Sequence, residues 1–556
     1  MKRYAAFVGL LLALPPTGGP PASRRAVMSS SIHVDAPVPP VERIKVRTHI
    51  APAPPELPRV FLNTGMPART GRTLTVAPNG DLQRALDRAQ PGDEIVLQAG
   101  VTYVGNFILP RKRGASNTPG TGMVIVVRTS GIAALPEGRR VTPGDSLVMA
   151  RLMTPRNGAE VIGTAPGTAG WRLVGLEITA APTVTEVNRL VRFGDGASTQ
   201  SRAGDVPQNL VVDRSYVHAH PRLEIRRCID LQSGASAVID SYVSECHSTN
   251  GDAQAILSYN GPGPYKIANN YLEGSGENLM IGGADISVPG QLPSDIEIRH
   301  NYFFKPLTWK RDDPRFAGTL WLVKNLFELK MGQRILVEGN VFENAWVHGQ
   351  TGFALLLKTT NTQRFPTTDV TVRNNIIRGA AGGANVAGID AAMYRITIEN
   401  NLFLDIGTPR WGQNGFLFQV TNVEDLSISH NTGFATAMTL SLSLPTSPRL
   451  SFTSNVVSHG QYGVKASSVS AGTQSLASVA PAYVFAGNVL IEGGLASQYP
   501  AGTYFASSAA DVGFADPPSD DFSLGSRSRF SGMGTGGTNP GIDHTALLRA
   551  THGAKP

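Results

Sequence analysis

The sequence predicts an all-β protein, a solenoid of short stacked strands (a parallel β-helix), with a short helix capping its N-terminal end. Three observations support this prediction. Short strands that end in Asn recur along the chain, a second set of strands lies between them, and one amphipathic helix precedes both sets. A repeat built from strands alone excludes the helical solenoids.

The first observation is a repeated unit in which a strand runs into an Asn and turns, as in RILVEGNVFENAW at 334–346. The asparagines in this position are Asn270, Asn301, Asn340, Asn375, Asn401, Asn431, Asn455 and Asn488, and Ser215 and Ser241 extend the series upstream. Their spacing of roughly 24 to 39 residues is typical of stacked arrays. We expect the stacked amides to form a hydrogen-bonded ladder, and we expect each Asn to adopt the left-handed conformation at the bend.

The second observation concerns the faces of the strands. Apolar and polar residues alternate before each Asn, as a strand with one buried face requires. The residues predicted to point into the solenoid are Ile296, Ile298, Ile335, Val337, Val370, Val372, Ile396 and Ile398. The second set of strands is predicted at 255–260, 278–283, 325–330, 353–358, 416–422 and 439–444. Each coil would therefore contain two or three strands.

The third observation is a predicted helix at 81–89. Leu82 and Leu86 lie on one face of it, so this face must pack against another element. Asp81 and Asn79 are both candidates for its N-cap.

The two ends of the chain differ in composition from the solenoid. Residues 1–22 have a basic start and a short apolar run, which is typical of a secretory signal peptide and too short for a membrane span. Residues 23–70 are rich in Pro and are expected to form an extended linker. We expect the β-helix at 71–495 and a closing segment with a tail at 496–556. The protein is therefore expected to be secreted or periplasmic.

Composition narrows the possible function. With 41% hydrophobic and 16% charged residues, the chain is expected to fold. The net charge of +7 is spread out without Lys/Arg blocks, so we expect no nucleic-acid partner, whereas an anionic partner is compatible. Cys228 and Cys246 match no zinc pattern. Two alternatives stay open for them: one disulfide, or two buried free thiols. We expect a monomer without a membrane span.

Two further segments point to a known superfamily. DLQRALDRAQPGDEIVLQAGVTY at 81–103 resembles its N-terminal cap and first coil, and DDFSLGSRSRFSGMGTGG at 520–537 resembles its closing segment. Over residues 73–535 the chain resembles the pectate-lyase-like, right-handed parallel β-helix superfamily, and within it the chondroitinase B and alginate lyase group. This resemblance implies a right-handed solenoid, and it implies lysines and arginines beside carboxylate-bound Ca²⁺. The superfamily also contains hydrolases, esterases and adhesins, so the fold alone does not settle the activity.

A lyase acting on a uronate polymer needs a base for the C5 proton and a cation beside the carboxylate. If the apolar residues of NLFELK (325–330) and FALLLK (353–358) point inward, then Glu328, Lys330 and Lys358 point outward. Stacked lysines disfavour each other's charge, so one of them is a candidate base, with Glu328 orienting the substrate. The alternative is a pair of solvated lysines bridged by Glu328 and Asp390.

We expect a substrate groove around these residues, beside a loop at 305–321. The candidate substrate-binding residues are Lys324, Arg334, Arg222, Arg226, Asp390, Gln419 and Trp309. Acidic side chains near strand starts, which could hold Ca²⁺ or cap turns, are Asp252, Glu277 and Asp285.

The sequence therefore predicts a β-helix protein that binds and cleaves an acidic polysaccharide by β-elimination. Two alternatives stay open: a non-catalytic carbohydrate-binding protein and a β-helix glycoside hydrolase. The ordered motifs N-T-D, D-D, G-H-G and R-I-K of the polygalacturonase-like hydrolases are absent from the expected positions, which argues against the second.

Overall fold

Three long parallel sheets form nearly the whole molecule. The computed structural model describes residues 51–117, 123–196, 199–412 and 414–556, so the predicted signal peptide and most of the predicted linker lie outside the described residues. We name the three sheets A, B and C, each defined by its strands below. In each coil the chain passes through one strand of sheet C, one of sheet A and one of sheet B, and then returns to sheet C. This arrangement confirms the predicted parallel β-helix.

The strands of each sheet follow one another from coil to coil. Sheet A contains Thr73–Val76, Glu94–Leu97, Ile125–Thr129, Ala169–Val174, Gln208–Asp213, Gly234–Ile239, Gly263–Ala268, Ser294–Arg299, Gly332–Glu338, Thr367–Arg373, Met393–Glu399, Val423–Ser429, Ser451–Thr453 and Val484–Ala486. Sheet B contains Thr102–Val104, Ala150–Thr154, Leu176–Ala180, Tyr216–His218, Tyr242–Cys246, Tyr271–Gly274, Tyr302–Phe304, Val341–Ala345, Ile376–Ala380, Leu402–Ile406, Thr432–Ala435, Val456–Ser458, Asn488–Ile491 and Thr503–Ala506. Sheet C contains Phe107–Leu109, Ile162–Thr164, Glu186–Gly194, Glu224–Gln232, Gln254–Ser258, Glu277–Ile281, Phe327–Leu329, Phe353–Thr359, Gly382–Gly388, Phe416–Thr421, Met438–Ser443 and Gly463–Ala466.

The remaining elements are short. The α-helices are Leu82–Arg88, Thr473–Val479, Ala509–Val512 and His544–Thr551, and an antiparallel hairpin pairs Phe514–Asp516 with Asp521–Leu524. The 3-10 helices are Ile132–Ala134, Pro143–Val148, Ala203–Asp205, Leu307–Trp309, Pro409–Trp411, Ala496–Gln498, Pro517–Ser519 and Thr535–Gly537. Of the two candidate N-caps for the first helix, Asp81 accepts a hydrogen bond from the Arg84 backbone N–H at 2.9 Å.

The interior consists of apolar columns that run from coil to coil. Ile296 stands opposite Ile335, and the same column continues through Val370 and Ile396. All eight residues that the alternation places inside are fully buried. The sheet register, rather than any one helix or loop, therefore builds the core.

The predicted Asn ladder is present. Asn340 accepts from the backbone N–H and the side-chain amide of Asn301, at 2.9 and 3.0 Å, and donates its own amide to Asn375 at 3.0 Å. The same bonds continue from Asn270 to Asn488. The left-handed residue, however, is the one before each ladder Asn, with φ between 51° and 68° at Asn269, His300, Gly339, Asn374, Asn400, His430, Ser454 and Gly487. Asn is therefore needed at the ladder position for its side-chain hydrogen bonds, and not for its tolerance of the left-handed backbone conformation.

The described part of the Pro-rich segment lies against sheet A. The backbone N–H groups of Ala53, Glu56 and Arg59 donate to Asp425, Asp369 and Asp295 at 3.0, 3.1 and 2.8 Å. Each contact advances three residues along the segment and two coils along the solenoid. A polyproline II helix rises roughly 9.3 Å in three residues, and two coils span roughly 9.6 Å, so the two periods match.

The C-terminal segment runs back along the ladder side of sheet A. The Asp543 N–H donates to Asn400 at 2.6 Å, and Arg140 donates to the Ala554 carbonyl at 2.6 Å.

The last strand of sheet B, Thr503–Ala506, lies beyond the expected β-helix boundary at 495. Cys228 and Cys246 form a disulfide. None of the helices in the described ranges is long and apolar enough to cross a membrane.

We predict that Asn340→Ala lowers the free energy of unfolding by about 2 to 4 kcal/mol, because the buried donors of Asn301 lose their acceptor. Urea denaturation followed by circular dichroism measures this loss. The exposed Asn188, changed to Ala, is the control and should shift the midpoint little. Equal midpoints for the two variants would contradict a stabilising ladder.

Candidate functional site

The candidate site lies on the outer face of sheet C. Glu328 stands opposite Leu356 and Leu329 opposite Leu357, so the next residues, Lys330 and Lys358, lie side by side on neighbouring coils. The segment at 360–366 takes up the difference in coil length. The stacking of the two lysines that the sequence predicts is therefore present.

The two lysines have different surroundings. The Lys330 ammonium pairs with Glu328 at 3.1 Å. Burial disfavours the charged form of Lys330, but the negative charges of Glu328 and Glu277 outweigh burial and raise the pKa of Lys330. Lys358 is half-buried, and its ammonium makes no hydrogen bond or ion pair with the described residues, whereas its backbone carbonyl accepts from Thr367. Burial lowers the pKa of Lys358, and Lys330 adds to this effect while Glu328 opposes it. Lys358 therefore gives up its proton more readily than Lys330.

Glu277 joins this cluster from the preceding coil. Strict alternation from Leu279 would turn Glu277 inward, but the strands of sheet C bend near their starts. The core contains both members of the neighbouring pairs Cys228–Ile229, Ala255–Ile256, Leu326–Phe327 and Ala354–Leu355. Two consecutive inward residues reverse the alternation, so Glu277 faces the side of Glu328.

Glu277 is fully buried among polar groups. It accepts a hydrogen bond from Gln254 at 2.7 Å, and its Oε1 lies 4.0 Å from the Lys324 ammonium, which also pairs with Asp252. Burial, followed by the nearby carboxyls of Glu328 and Asp252, raises the pKa of Glu277 to about 8. Glu277 is therefore protonated at neutral pH and can donate a hydrogen bond.

A buried lysine supports the turn before Glu277. Lys305 is fully buried, and its ammonium donates to the carbonyls of Ser275 and Gly276, both at 3.0 Å, and to that of Gly274. Burial lowers the pKa of Lys305. The sequence alone does not indicate this role, since a lysine at the end of the strand YFFK gives no sign that its side chain turns inward.

The two ends of the loop at 305–321 are packed, whereas most residues from 311 to 320 are exposed. Trp309 is 4% exposed and lies in an apolar cluster with Trp321, Trp346 and Trp411. The ring of the buried His247 stacks on Trp321 at 3.7 Å. The prediction of Trp309 as a sugar platform is therefore wrong, because its ring packs inside this cluster.

The other predicted binding residues divide into two groups. Lys324 belongs to the cluster, and Arg226 donates to the Asp252 carbonyl at 2.8 Å and so supports it. Gln419 lies on the same face three coils from Glu328, through Leu356 and Asn385.

Three predicted binding residues lie outside the cluster. Arg334 is at the start of a sheet A strand, bound to Asp295 at 2.8 and 3.0 Å, because the chain has already turned from sheet C. Asp390 lies in the bend after strand Gly382–Gly388, and Ala387 takes the position opposite Lys358. Arg222 is exposed in the turn before strand Glu224–Gln232.

The predicted calcium ligands do not come together as a set. Asp252 and Glu277 flank Lys324, but Asp285 is exposed and accepts a hydrogen bond from Thr362. Within the described ranges, no three His, Cys, Asp or Glu side chains are arranged for a metal ion. Buried oxygens without a hydrogen-bond donor are nevertheless present at Gln254 Oε1, Glu277 Oε1 and Asn325 Oδ1. Such oxygens suit a hard cation.

Comparison with known proteins adds likenesses of fold only. No protein-family profile and no curated protein matches the chain. An alginate lyase from Paenibacillus sp. str. FPU-7 is 14% identical with a TM-score of 0.30, over 74% of this chain and 98% of that one. The PL6 family alginate lyase AlyGC is 15% identical with a TM-score of 0.43, over 78% of this chain and 53% of that one. The pectate lyase Pel9A is 12% identical with a TM-score of 0.28, over 84% of this chain and 92% of that one.

We predict that Glu277→Gln removes part of the pH dependence of stability. Because the folded state raises the pKa of Glu277, its contribution is present at low pH and is lost as pH rises from the ordinary carboxyl range to about 8. The variant should therefore gain stability relative to the unmodified protein as pH rises. Urea denaturation in EDTA between about pH 5 and about pH 8 measures the difference.

The exposed Glu137, changed to Gln, is the matched control and should leave the pH dependence unchanged. A parallel pH dependence for the Glu277→Gln variant and the unmodified protein would show that Glu277 titrates normally.

Proposed function

We propose that the protein is a polysaccharide lyase that cleaves an acidic, uronate-containing polymer by β-elimination. The observation that carries this proposal is the half-buried Lys358, without a partner in the described residues, beside the paired Lys330. β-Elimination needs a neutral base near a fixed positive charge. Lys330 supplies the fixed charge, and Lys358, whose pKa burial lowers, is the lysine that gives up its proton more readily.

The roles of the residues follow from their charges. Lys358 takes the C5 proton of the uronate, and the electron pair of that bond forms the C4–C5 double bond. The C4–O bond breaks, and the leaving sugar departs with the electron pair on its oxygen, which is then protonated. The Lys330 ammonium and the protonated Glu277 bind the uronate carboxylate, where negative charge develops. Glu328 holds Lys330 in place.

The glycoside hydrolase alternative is disfavoured because the ordered motifs N-T-D, D-D, G-H-G and R-I-K are absent from the expected positions. Glu328 lies near enough to Glu277 for its charge to raise the pKa of Glu277, and such a pair suits the sharing of one proton.

Export is part of the proposal. The disulfide between Cys228 and Cys246 supports it, since disulfides persist in oxidising compartments. The basic start and short apolar run of residues 1–22 agree with it.

We predict that the purified protein generates unsaturated uronate from alginate, pectate or chondroitin, and that Lys358→Met lowers kcat at least about a hundredfold, as expected for loss of a general base. The ultraviolet absorbance of the C4–C5 double bond measures the rate. Lys266→Met, a half-buried lysine on sheet A, is the control and should keep full activity. New reducing ends without the double bond would indicate a hydrolase, and binding without any product a non-catalytic protein.

We further propose that Ca²⁺ binds in this cluster. Gln254, Glu277, Asn325 and Glu328 would hold it through their oxygens. Glu277 would lose its proton on binding Ca²⁺, whose positive charge would then take the place of the protonated Glu277 beside the substrate carboxylate.

We predict that titration calorimetry detects Ca²⁺ binding to EDTA-stripped protein and that Glu277→Gln weakens it at least about tenfold, since one anionic ligand is lost. Affinity should also fall as pH drops below the pKa of Glu277, because the proton competes with the metal. Asp285→Asn, outside the cluster, should bind normally. Equal affinity for all three proteins, or no heat of binding, would exclude this cation site.

A further inference from the structure

Arg227 stands apart from the other arginines. It lies in the sheet C strand Glu224–Gln232 and is half-buried, and its guanidinium makes no hydrogen bond or ion pair with any described residue. Each other described arginine that is not exposed has at least one hydrogen bond or ion pair. A half-buried cation without a partner costs free energy, which an anionic ligand would offset.

A second arginine lies directly beside it. Arg189 is opposite Arg227 on the neighbouring coil, and its Nε lies 2.9 Å from Asp230 Oδ2. The other oxygen of Asp230 accepts from Gln232 at 2.6 Å. Asp230 therefore pairs with Arg189 alone, and the Arg227 guanidinium beside them has no carboxylate partner among the described residues.

The arginines are in line with Glu277 of the candidate site. Arg189, Arg227, Gln254 and Glu277 occupy the same position on four successive coils. Glu328 lies on the next coil but three residues further along the strand, since it stands opposite Met280. With coils roughly 4.8 Å apart, Arg227 lies on the order of 10 Å from Glu277 and more than about 15 Å from Glu328. One sugar ring does not reach across this distance, whereas a polymer lying along the solenoid does.

We propose that Arg227, with Arg189 beside it, binds the carboxylate of a uronate residue at least two sugars away from the cleaved bond. This inference rests on the proposed function and adds a remote binding subsite to it. A guanidinium matches a carboxylate with two parallel hydrogen bonds, so this subsite selects a charged sugar. Chain length then becomes part of substrate recognition, because only a long oligosaccharide reaches Arg227.

The test is the length dependence of binding. Alginate, pectate and chondroitin oligosaccharides of increasing length are titrated into Lys358→Met protein, which does not consume them, with and without the second change Arg227→Gln. We expect Arg227→Gln to weaken binding of the long oligosaccharides at least about tenfold, as for loss of a charge-assisted hydrogen bond, and to leave disaccharide binding unchanged. Arg373→Gln, a paired arginine on sheet A, controls for the lost charge.

The outcomes separate the two proposals. If long oligosaccharides bind but Arg227→Gln has no effect, the remote subsite is overturned and the proposed function stands. If Arg227→Gln weakens every length equally, Arg227 acts on the central site or on the fold, and the subsite is again overturned; the melting temperature distinguishes these two causes. If no uronate oligosaccharide binds to the Lys358→Met protein or to the unmodified protein, both proposals fail.

Discussion

Backbone hydrogen bonding between successive coils is the constraint on which the rest of the structure depends. Parallel strands paired in register bring residues that are far apart in sequence to one height of the solenoid, as with Leu329 and Leu357. The buried Asn ladder reinforces this register, since each amide accepts from the coil before it and donates to the coil after it. A slip by one residue would exchange the inner and outer faces, and both the apolar columns and the lysine pair would be lost.

The outer faces of sheets A and C differ in how their charges are compensated. On sheet A, Arg334, Arg395 and Arg449 each pair with an Asp of the preceding coil. Those Asp residues also accept from the Pro-rich segment, so this face is neutralised and covered. Sheet C keeps the Lys358 and Arg227 side chains without partners among the described residues, as sheet A does Lys266. We therefore interpret only the part of sheet A under the Pro-rich segment as a structural face, and the outer face of sheet C as the binding face.

Within sheet C, burial and neighbouring charges shift the pKa values of chemically similar groups in different directions. Lys330 stays charged because Glu328 is in contact with it, whereas burial makes the ammonium form of Lys358 less favourable. Glu277 keeps its proton because it is fully buried near two other carboxyls. The buried Lys305 holds the turn that precedes Glu277. The rigid stack of coils offsets the free-energy cost of placing these groups together.

The sequence by itself determined the parallel β-helix, its apolar columns, the Asn ladder and the stacking of Lys330 on Lys358, because all of these follow from a period of two along each strand and a repeated Asn at each coil. Only the tertiary structure decided which acidic residue joins the lysines. The bend in sheet C that turns Glu277 outward comes from two consecutive inward residues, and alternation alone predicts the opposite face. The same holds for Trp309 and Arg334, whose surroundings are made by a folded loop and by a neighbouring coil. Local patterns encode which way a strand faces, but the contacts of a charged or aromatic side chain depend on groups that folding brings to it from other coils.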